Sequence, residues 1–312
     1  MSPSTLALRR LILILLVAIT AAALIACTGS QPAPAADGKL KVVATTTLVG
    51  DVVAAIGGDN IDVAVLLPPG AEPHSFQPTP KDVAALSKAG LVFVNGLNLE
   101  EVLIPTLENA LDKGKIVAVS DGVQTIEFAG EEANAHGGAD PHTWTDPNNV
   151  MVWADNIGRA LGEADPAHAA AYAANAAAYN NQLGDIDQWV NEQVAQVPEA
   201  NRKLVTDHAV FGYFAKRYGF EQVGAVIPGF SALAEPSAQE MAALEDTIHR
   251  LGVKAIFTGN TVNPALSQRV AADTGVKLAF IYTDSLSAPN GPVPTYLDWV
   301  RHNTQAFVDA LK

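Results

Sequence analysis

The sequence contains only one cysteine, Cys27, among its 312 residues. An internal disulfide is therefore excluded, and a lone thiol in an exported protein needs an explanation of its own. Basic residues are also scarce, since 19 lysines and arginines stand against 33 aspartates and glutamates, which gives a formal net charge of −14. This excess of negative charge argues against a nucleic-acid partner and against attachment to a membrane surface through basic patches.

The N-terminal residues carry an export pattern. Arg9 and Arg10 precede the apolar run LILILLVAITAAALIA, which ends at Cys27. A basic flank followed by a short apolar core is typical of a secretory signal. The letters LIAC resemble a lipobox, at which bacterial lipoproteins are lipidated on cysteine and cleaved just before it. The alternative is a plain transmembrane anchor, because residues 11–26 approach spanning length. We predict a signal peptide over residues 1–26 and an extracytoplasmic protein held by lipid on the outer face of the cell membrane, in the periplasm or at the cell surface.

Residues 27–39 are predicted to comprise the lipidated cysteine and a flexible tether, because TGSQPAPAADGK is small, polar and rich in proline. Cleavage of the signal would remove two arginines and leave 17 basic against 33 acidic residues, a formal charge of −16. About 270 residues remain, which is enough for two domains of ordinary size.

Short apolar segments alternate with helical patterns along the rest of the chain. This alternation predicts parallel sheets that are covered by helices on both faces, and in such sheets ligands bind beyond the carboxyl ends of the strands. The predicted strands are residues 39–45, 61–67, 91–95, 115–119, 203–206, 223–227, 254–258 and 277–282. The predicted helices between and after them are residues 48–56, 80–89, 101–111, 147–161, 210–218, 236–251, 264–274 and 296–311.

One long helical stretch, Pro166 to Gln196, separates the first four strands from the last four. It is rich in alanine, glutamine and leucine, and Pro198 ends it. Gly184 is its one interior breaker, so two helices with a turn near Gly184 are the alternative. As one helix the stretch would span roughly 45 Å. The predicted fold class is α/β, with an N-terminal lobe (40–165) and a C-terminal lobe (197–312), each a roughly four-stranded parallel sheet flanked by helices, joined by this helix.

Candidate metal ligands follow strands or stand in stiff loops. His74 lies in the loop PPGAEPHSF after the second strand, and His142 lies between two Asp-Pro pairs in DPHTWTDP. Proline restricts the backbone, so both loops are predicted to be stiff. His208 follows the fifth strand, and Asp284 follows the eighth. Three imidazoles and one carboxylate can fill a tetrahedral zinc shell, but the intervals are long and spacing alone leaves unrelated polar side chains as the alternative.

The other histidines are expected to face solvent or to complement a helix dipole rather than to bind metal. Three of them lie in predicted helices and one in a loop of polar composition. They are His168, His249, His302 and His136.

The loops around His74 and His142, the lipobox, VTDHAVFGYFAKRYGF around His208 and YTDSLS around Asp284 closely resemble the metal-binding receptors of bacterial ABC importers for zinc and manganese. The resemblance covers essentially the whole chain after the signal, in order. It implies two α/β lobes joined by one long helix, and a metal in the cleft on these four side chains. Histidine at the third position, as in His208, is more typical of zinc receptors, whereas glutamate there is associated with manganese.

Two departures from the family pattern concern the surroundings of the site. Many zinc receptors carry a long loop rich in histidine and acidic residues before DPH, whereas this loop is short and holds only Glu131, Glu132 and His136. Many members also have an acidic residue just after the seventh strand, where this chain has Gly259 and Asn260. The sequence therefore does not identify the groups that surround the candidate ligands and tune metal affinity.

The resemblance implies a monomeric receptor, not an enzyme, that captures Zn²⁺ and delivers it to an ABC permease driven by its ATPase. A manganese receptor of the same family and a metal-dependent adhesin or interaction lipoprotein are the alternatives. A metal-dependent hydrolase would keep a water position open beside a general base, and no such base is evident. A receptor for a siderophore or corrinoid would need aromatic and arginine side chains lining a wide cleft, with no need of three imidazoles.

Overall fold

The structure is a computed structural model that describes residues 38–127, 138–228 and 235–312. The predicted signal peptide, the lipidation at Cys27 and nearly all of the tether lie outside these residues. The loop residues Glu131, Glu132 and His136 also lie outside them.

The described residues form eight strands in two parallel sheets of four. The strand orders are β2-β1-β3-β4 and β6-β5-β7-β8, so the second sheet repeats the topology of the first. In both sheets the strand order reverses at the first strand, because the second strand is added on one side of it and the third on the other. The region beyond the carboxyl ends of the strands at this point is the expected place for a ligand. The strands are β1 (Leu40–Ala44), β2 (Ile61–Val65), β3 (Leu91–Val94), β4 (Ile116–Ala118), β5 (Lys203–Thr206), β6 (Glu221–Ala225), β7 (Ala255–Thr258) and β8 (Lys277–Phe280).

Nine α-helices lie in the described residues, and most connect consecutive strands. Polar side chains cap several of them as the sequence suggests: Thr79 and Asp82 form a capping box, and Asp146 accepts from the backbone N–H of Asn148. The helices are α1 (Thr47–Gly57), α2 (Pro80–Leu86), α3 (Ile104–Ala110), α4 (Pro147–Ala164), α5 (Ala169–Val194), α6 (Gly212–Tyr218), α7 (Ala238–Leu251), α8 (Ala265–Thr274) and α9 (Tyr296–Leu311).

Two helices are shorter than the sequence predicts, because their expected end turns are tighter than α-helical. The backbone N–H of Leu103 bonds the carbonyl of Glu100, three residues back, so α3 starts at Ile104 rather than at residue 101. Ala89 bonds Leu86 in the same way, so α2 ends before residue 89. Differences of this size are usual at helix ends, where hydrogen bonds change type.

The long helix α5 is continuous through Gly184, so the interpretation as one helix is confirmed. Its 26 residues correspond to about 39 Å, and the predicted first turn, Pro166–His168, is a 3₁₀ turn. Its buried side chains recur every three or four residues, and the helix packs against α1, α4 and α9. They are Tyr172, Ala176, Tyr179, Leu183, Ile186, Val190 and Val194.

One hydrophobic core connects both sheets through this helix. Val42 and Ala44 of β1 and Leu204 of β5 belong to the same cluster of buried side chains as α5, whereas their neighbours Val43 and Val205 belong to separate clusters on the outer faces of their sheets. The alternation follows from the two-residue period of a strand. The two lobes therefore share their largest core.

None of the helices in the three described ranges combines the length and the apolar character that a membrane span requires.

Candidate metal centre

The structure brings together the four side chains that the sequence singles out. Each lies in a segment that follows a strand: His74 after β2, His142 in the long connection between β4 and α4, His208 after β5 and Asp284 after β8. Parallel strands end at one edge of a sheet, so each sheet presents two of the four. All four are buried, with exposed fractions of 4% for His74, 0% for His142, 1% for His208 and 2% for Asp284.

The loop of His74 is held by the carboxylate of Glu72. It accepts hydrogen bonds from the backbone N–H groups of His74 (2.8 Å) and Ser75 (3.0 Å) and from the hydroxyl of Ser75 (2.6 Å). Burial raises the pKa of Glu72, although these hydrogen bonds oppose the shift. The carboxylate shapes the loop that presents the imidazole, in addition to the restriction that the prolines impose.

The imidazole of His142 is oriented by Asp140. Oδ1 of Asp140 accepts from the backbone N–H of His142 at 2.9 Å and from Nδ1 of its ring at 2.7 Å. Because a carboxylate can only accept, Nδ1 carries a proton, and Nε2 is the ring nitrogen that faces Nε2 of His74. The ring of Trp144 contacts the imidazole edge-on, with the centroids 5.2 Å apart.

His208 has the same kind of support from its neighbour in the chain. Oδ1 of Asp207 accepts from Nδ1 and from the backbone N–H of His208, both at 2.7 Å. Oδ2 of Asp207 accepts in turn from the backbone N–H of Gly259, at the end of β7. A carboxylate on Nδ1 fixes which nitrogen of a metal-binding histidine faces the metal and raises its basicity.

The distances between the facing atoms suit a tetrahedral ion. Nε2 of His74 lies 3.4 Å from Nε2 of His142, and Nε2 of His208 lies 3.3 Å from Oδ1 of Asp284. Zinc–ligand bonds of 2.0 to 2.2 Å at tetrahedral angles separate neighbouring donor atoms by about 3.3 Å. One ligand atom each from His142, His208 and Asp284 lies within 4.8 Å of the other two. His142, His208 and Asp284 therefore form one buried group at metal-binding distances, and His74 adjoins this group through His142.

The carboxylates around His208 favour a proton on its ring. Burial opposes that proton, but the carboxylates of Asp284 and Asp207 outweigh it and raise the pKa of His208 well above its usual value. Burial likewise acts against the charge on Asp284, but the facing histidines, His208 first, lower its pKa below the usual range. A divalent cation would take the place of this proton.

Side chains from both lobes meet around the site. The indole N–H of Trp144 donates to the carbonyl of Thr283 at 3.1 Å. The hydroxyl of Tyr213, on α6, donates to the carbonyl of Asp140 at 2.7 Å. The loops of His142, His208 and Asp284 are therefore tied to one another by polar contacts as well as by any metal.

The histidines expected to be uninvolved lie elsewhere in the described residues. His168 is half-exposed and bonds the carboxylate of Asp165 at 2.7 Å, and His249 is exposed at the end of α7. His302 is not purely solvent-facing, since its ring packs on Tyr282 with the centroids 5.2 Å apart. Partial burial lowers the pKa of His302.

Sequence reasoning missed the carboxylates that orient the ligands. Asp140 lies two residues before His142, and Asp207 lies directly before His208. An acidic residue one or two positions before each of these two histidines was the available signal, because it lets one carboxylate reach both the backbone and the ring of that histidine.

Comparison with protein families matches residues 42–310 to ZnuA, zinc-uptake complex component A, periplasmic. The chain belongs to this family. A ZnuA-family member is a metal-binding receptor of an ABC transporter, so the predictions of a metal receptor and of a protein that is not an enzyme are confirmed.

Several relatives of this ZnuA-family chain are similar over most of their length. The manganese-binding lipoprotein MntA of Halalkalibacterium halodurans is 35% identical over 96% of each chain. The iron-binding protein YfeA of Yersinia pestis is 35% identical over 84% of this chain and 83% of its own. The structure of the periplasmic zinc-binding protein TroA of Treponema pallidum is 28% identical, covers 88% of this chain and 99% of its own, and superposes with a TM-score of 0.81. The predicted fold class of two α/β lobes joined by one long helix is thereby confirmed.

Proposed function

We propose that this chain captures Zn²⁺ on His74, His142, His208 and Asp284 and delivers it to the permease of an ABC importer, whose ATPase drives uptake. The observation that carries the proposal is a buried group of three ligand atoms, one each from His142, His208 and Asp284, that lie within 4.8 Å of one another, with Nε2 of His74 3.4 Å from Nε2 of His142. No chemistry on a substrate is required, because binding and release of the ion are the whole task.

The choice of zinc rests on the donor atoms. Three nitrogen donors and one oxygen donor suit Zn²⁺, whereas Mn²⁺ prefers oxygen-rich shells with more ligands. The order of intrinsic affinities also places Zn²⁺ above Mn²⁺ at a site of this kind. The description of the matching family names zinc uptake as well.

A manganese receptor is the second candidate, and one observation favours it: the relative from H. halodurans, similar along its whole length, is named for manganese. An adhesin or interaction role is a weaker alternative. Binding to a partner protein that requires metal would distinguish it. A zinc receptor and a manganese receptor would use the same four side chains, so the identity of the bound metal has to be measured.

For the location, we propose the outer face of the cell membrane, with a lipid on Cys27 as the anchor and a monomeric body carried on the tether. Relatives named as lipoproteins of metal ABC transporters support an extracytoplasmic, membrane-anchored location. Because the protein is acidic, basic surface charge does not attract it to the membrane, so the lipid is the proposed attachment.

The test is the metal content of protein purified without chelator or affinity tag, followed by competition titrations of Zn²⁺ and Mn²⁺ against a chelating indicator. We expect zinc in the purified protein and tighter binding of zinc than of manganese. His142→Ala should weaken zinc binding at least tenfold to a hundredfold, because it removes a direct ligand whose supporting groups alone affect binding on that scale.

The matched control is His168→Ala. His168 also has its Nδ1 on an aspartate at 2.7 Å, but it lies at the start of the long helix and is half-exposed. We expect its metal affinity to equal that of the unaltered protein. Equal losses in both variants would contradict the proposed ligand set, and tighter binding of manganese would select the second candidate.

A further inference from the structure

The segment Gly259-Asn260-Thr261, which follows β7, occupies the position where the family often has an acidic residue. In this structure it surrounds Asp284 instead. The hydroxyl of Thr261 donates to Oδ2 of Asp284 at 2.8 Å. Asn260 holds the backbone on both sides of Asp284: its Oδ1 accepts from the N–H of Thr283 at 3.2 Å, and its amide donates to the carbonyl of Ser285 at 3.3 Å.

The direction of the Thr261 hydrogen bond is set by chemistry. A carboxylate only accepts, so the single hydroxyl proton of Thr261 is committed to Asp284. The hydroxyl of Thr283, 3.0 Å from that of Thr261, must then donate to it. This gives a directed chain of hydrogen bonds from Thr283 through Thr261 to Oδ2 of Asp284, in which each donor strengthens the next.

Glycine at position 259 makes this close approach feasible. A Cβ atom there would lie 2.4 Å from Oγ1 of Thr283 and 2.9 Å from Oδ2 of Asp207, which is closer than real contacts allow. The backbone N–H of Gly259 also donates to Oδ2 of Asp207, the carboxylate that orients His208. The segment therefore supports two of the four proposed ligands.

We infer that Thr261 is a specificity-determining residue that restricts Asp284 to a single coordinating oxygen and so favours four-coordinate zinc over manganese. Without that hydrogen bond both oxygens of Asp284 would be open to the ion, because each lies 3.3 Å from Nε2 of His208. A second oxygen would raise the coordination number, which suits Mn²⁺ better than Zn²⁺. The inference rests on the proposed zinc receptor and names the residue that sets its selectivity.

The experiment compares Thr261→Val, which removes the hydroxyl and preserves the shape, with Thr261→Ser, which keeps the hydroxyl. Metal is stripped from each full-length protein with a chelator, and the Kd values of Zn²⁺ and Mn²⁺ are measured by competition at one pH. We expect Thr261→Val to lower the ratio of Kd for Mn²⁺ to Kd for Zn²⁺ by about tenfold, the lower end of effects from groups that support ligands. Thr261→Ser should keep the original ratio.

A second readout reports the coordination number directly. Co²⁺ absorbs strongly in the visible range when it is tetrahedral and weakly when it has five or six ligands. We expect strong absorption from the unaltered protein and from Thr261→Ser, and a clear loss of intensity in Thr261→Val. If Thr261→Val has a lowered melting temperature without metal, Thr261→Ala, which also lacks the hydroxyl, is used in its place.

The outcomes separate this inference from the proposed function. If Thr261→Val weakens both metals equally, or leaves both the ratio and the Co²⁺ spectrum unchanged, the role of Thr261 in selectivity is refuted, whatever the unaltered protein prefers. If the unaltered protein prefers manganese, the zinc assignment fails, and a fall in the ratio in Thr261→Val still supports the role of Thr261.

Discussion

Metal binding should expel a proton from the site, because the imidazole of His208 lies between the carboxylates of Asp207 and Asp284. These carboxylates outweigh burial and raise the pKa of His208 well above its usual value. A metal ligand must be deprotonated, so the ion and the proton compete for Nε2. Below the pKa of His208 the apparent affinity should therefore fall about tenfold for each unit by which the pH is lowered.

The number of protons released distinguishes this site from an ordinary histidine. At pH 7.5 an imidazole with a pKa of about 6.5 is roughly one-tenth protonated, so three ordinary imidazole ligands would together release about 0.3 proton per metal. With its pKa raised well above that value, His208 should bring the total clearly above this baseline. The assay is titration calorimetry with Zn²⁺ in buffers of different ionisation enthalpy, from which the number of protons follows.

The informative variant is Asp207→Asn, which can still accept from Nδ1 but removes one of the two negative charges. Its proton release at pH 7.5 should fall, and its zinc affinity should weaken by about tenfold to a hundredfold. Asp165→Asn alters a similar aspartate–histidine pair away from the site and should change neither quantity. Proton release of about 0.3 or less in the unaltered protein would refute the reasoning.

The raised pKa of His208 also makes the stability of the metal-free fold depend on pH, in the opposite sense to metal affinity. Because the pKa of His208 is raised on folding, its ion pair stabilises the fold fully below about pH 6.5 and loses this effect as the pH rises through the folded value. Asp284, with a lowered pKa, stabilises the fold above its usual value of 3.8 and loses this effect as the pH falls through the folded one. Raising the pH from neutral should therefore weaken the metal-free fold while it tightens metal binding.

Three further outcomes are expected. Zinc at a thousandfold excess over its Kd should stabilise the fold by about 4 kcal/mol and raise the melting temperature by roughly 8 °C in differential scanning fluorimetry, and no shift with any divalent transition metal would argue against a metal receptor. Cys27→Ala should move the protein from the membrane to the soluble fraction without changing its zinc Kd, and a weaker Kd in the released protein would show that the anchor contributes to the site. Gly259→Ala should destabilise the fold by about 1 to 3 kcal/mol and weaken zinc binding, because the added Cβ displaces Thr283 or Asp207; wild-type stability and affinity would show that the loop tolerates a side chain.

The strands and the long helix could be predicted from the sequence because their signals are local. Buried parallel strands are continuous apolar runs, and the helical stretch combines strong helix formers with a buried residue every three or four positions. Gly184 was the one competing local signal. It is overridden because packing of the helix against α4 and α9 stabilises it along its whole length.

The environment of the four candidate ligands could be predicted only in part, because its hydrogen bonds connect residues that are distant in the chain. The backbone N–H of Gly259 bonds a carboxylate 52 residues away, and the hydroxyl of Thr261 bonds one 23 residues away. Neither glycine nor threonine is a metal ligand by type, so the sequence indicates only that the acidic residue of many family members is missing here. In the structure it is a support, since neutral donors take the place of the acidic residue.

The single core that connects the two sheets limits how the cleft can exchange its ion. Swinging the lobes apart would pull side chains of β1 and β5 away from the long helix and expose apolar surface, at about 25 cal/mol for each Å². The loops that carry the four ligands are joined to one another mainly by hydrogen bonds, each with a net contribution of about 1 kcal/mol. Loop rearrangement is therefore the less costly route, and the residence time of the ion should depend on how often these loops open, with the two sheets remaining in place.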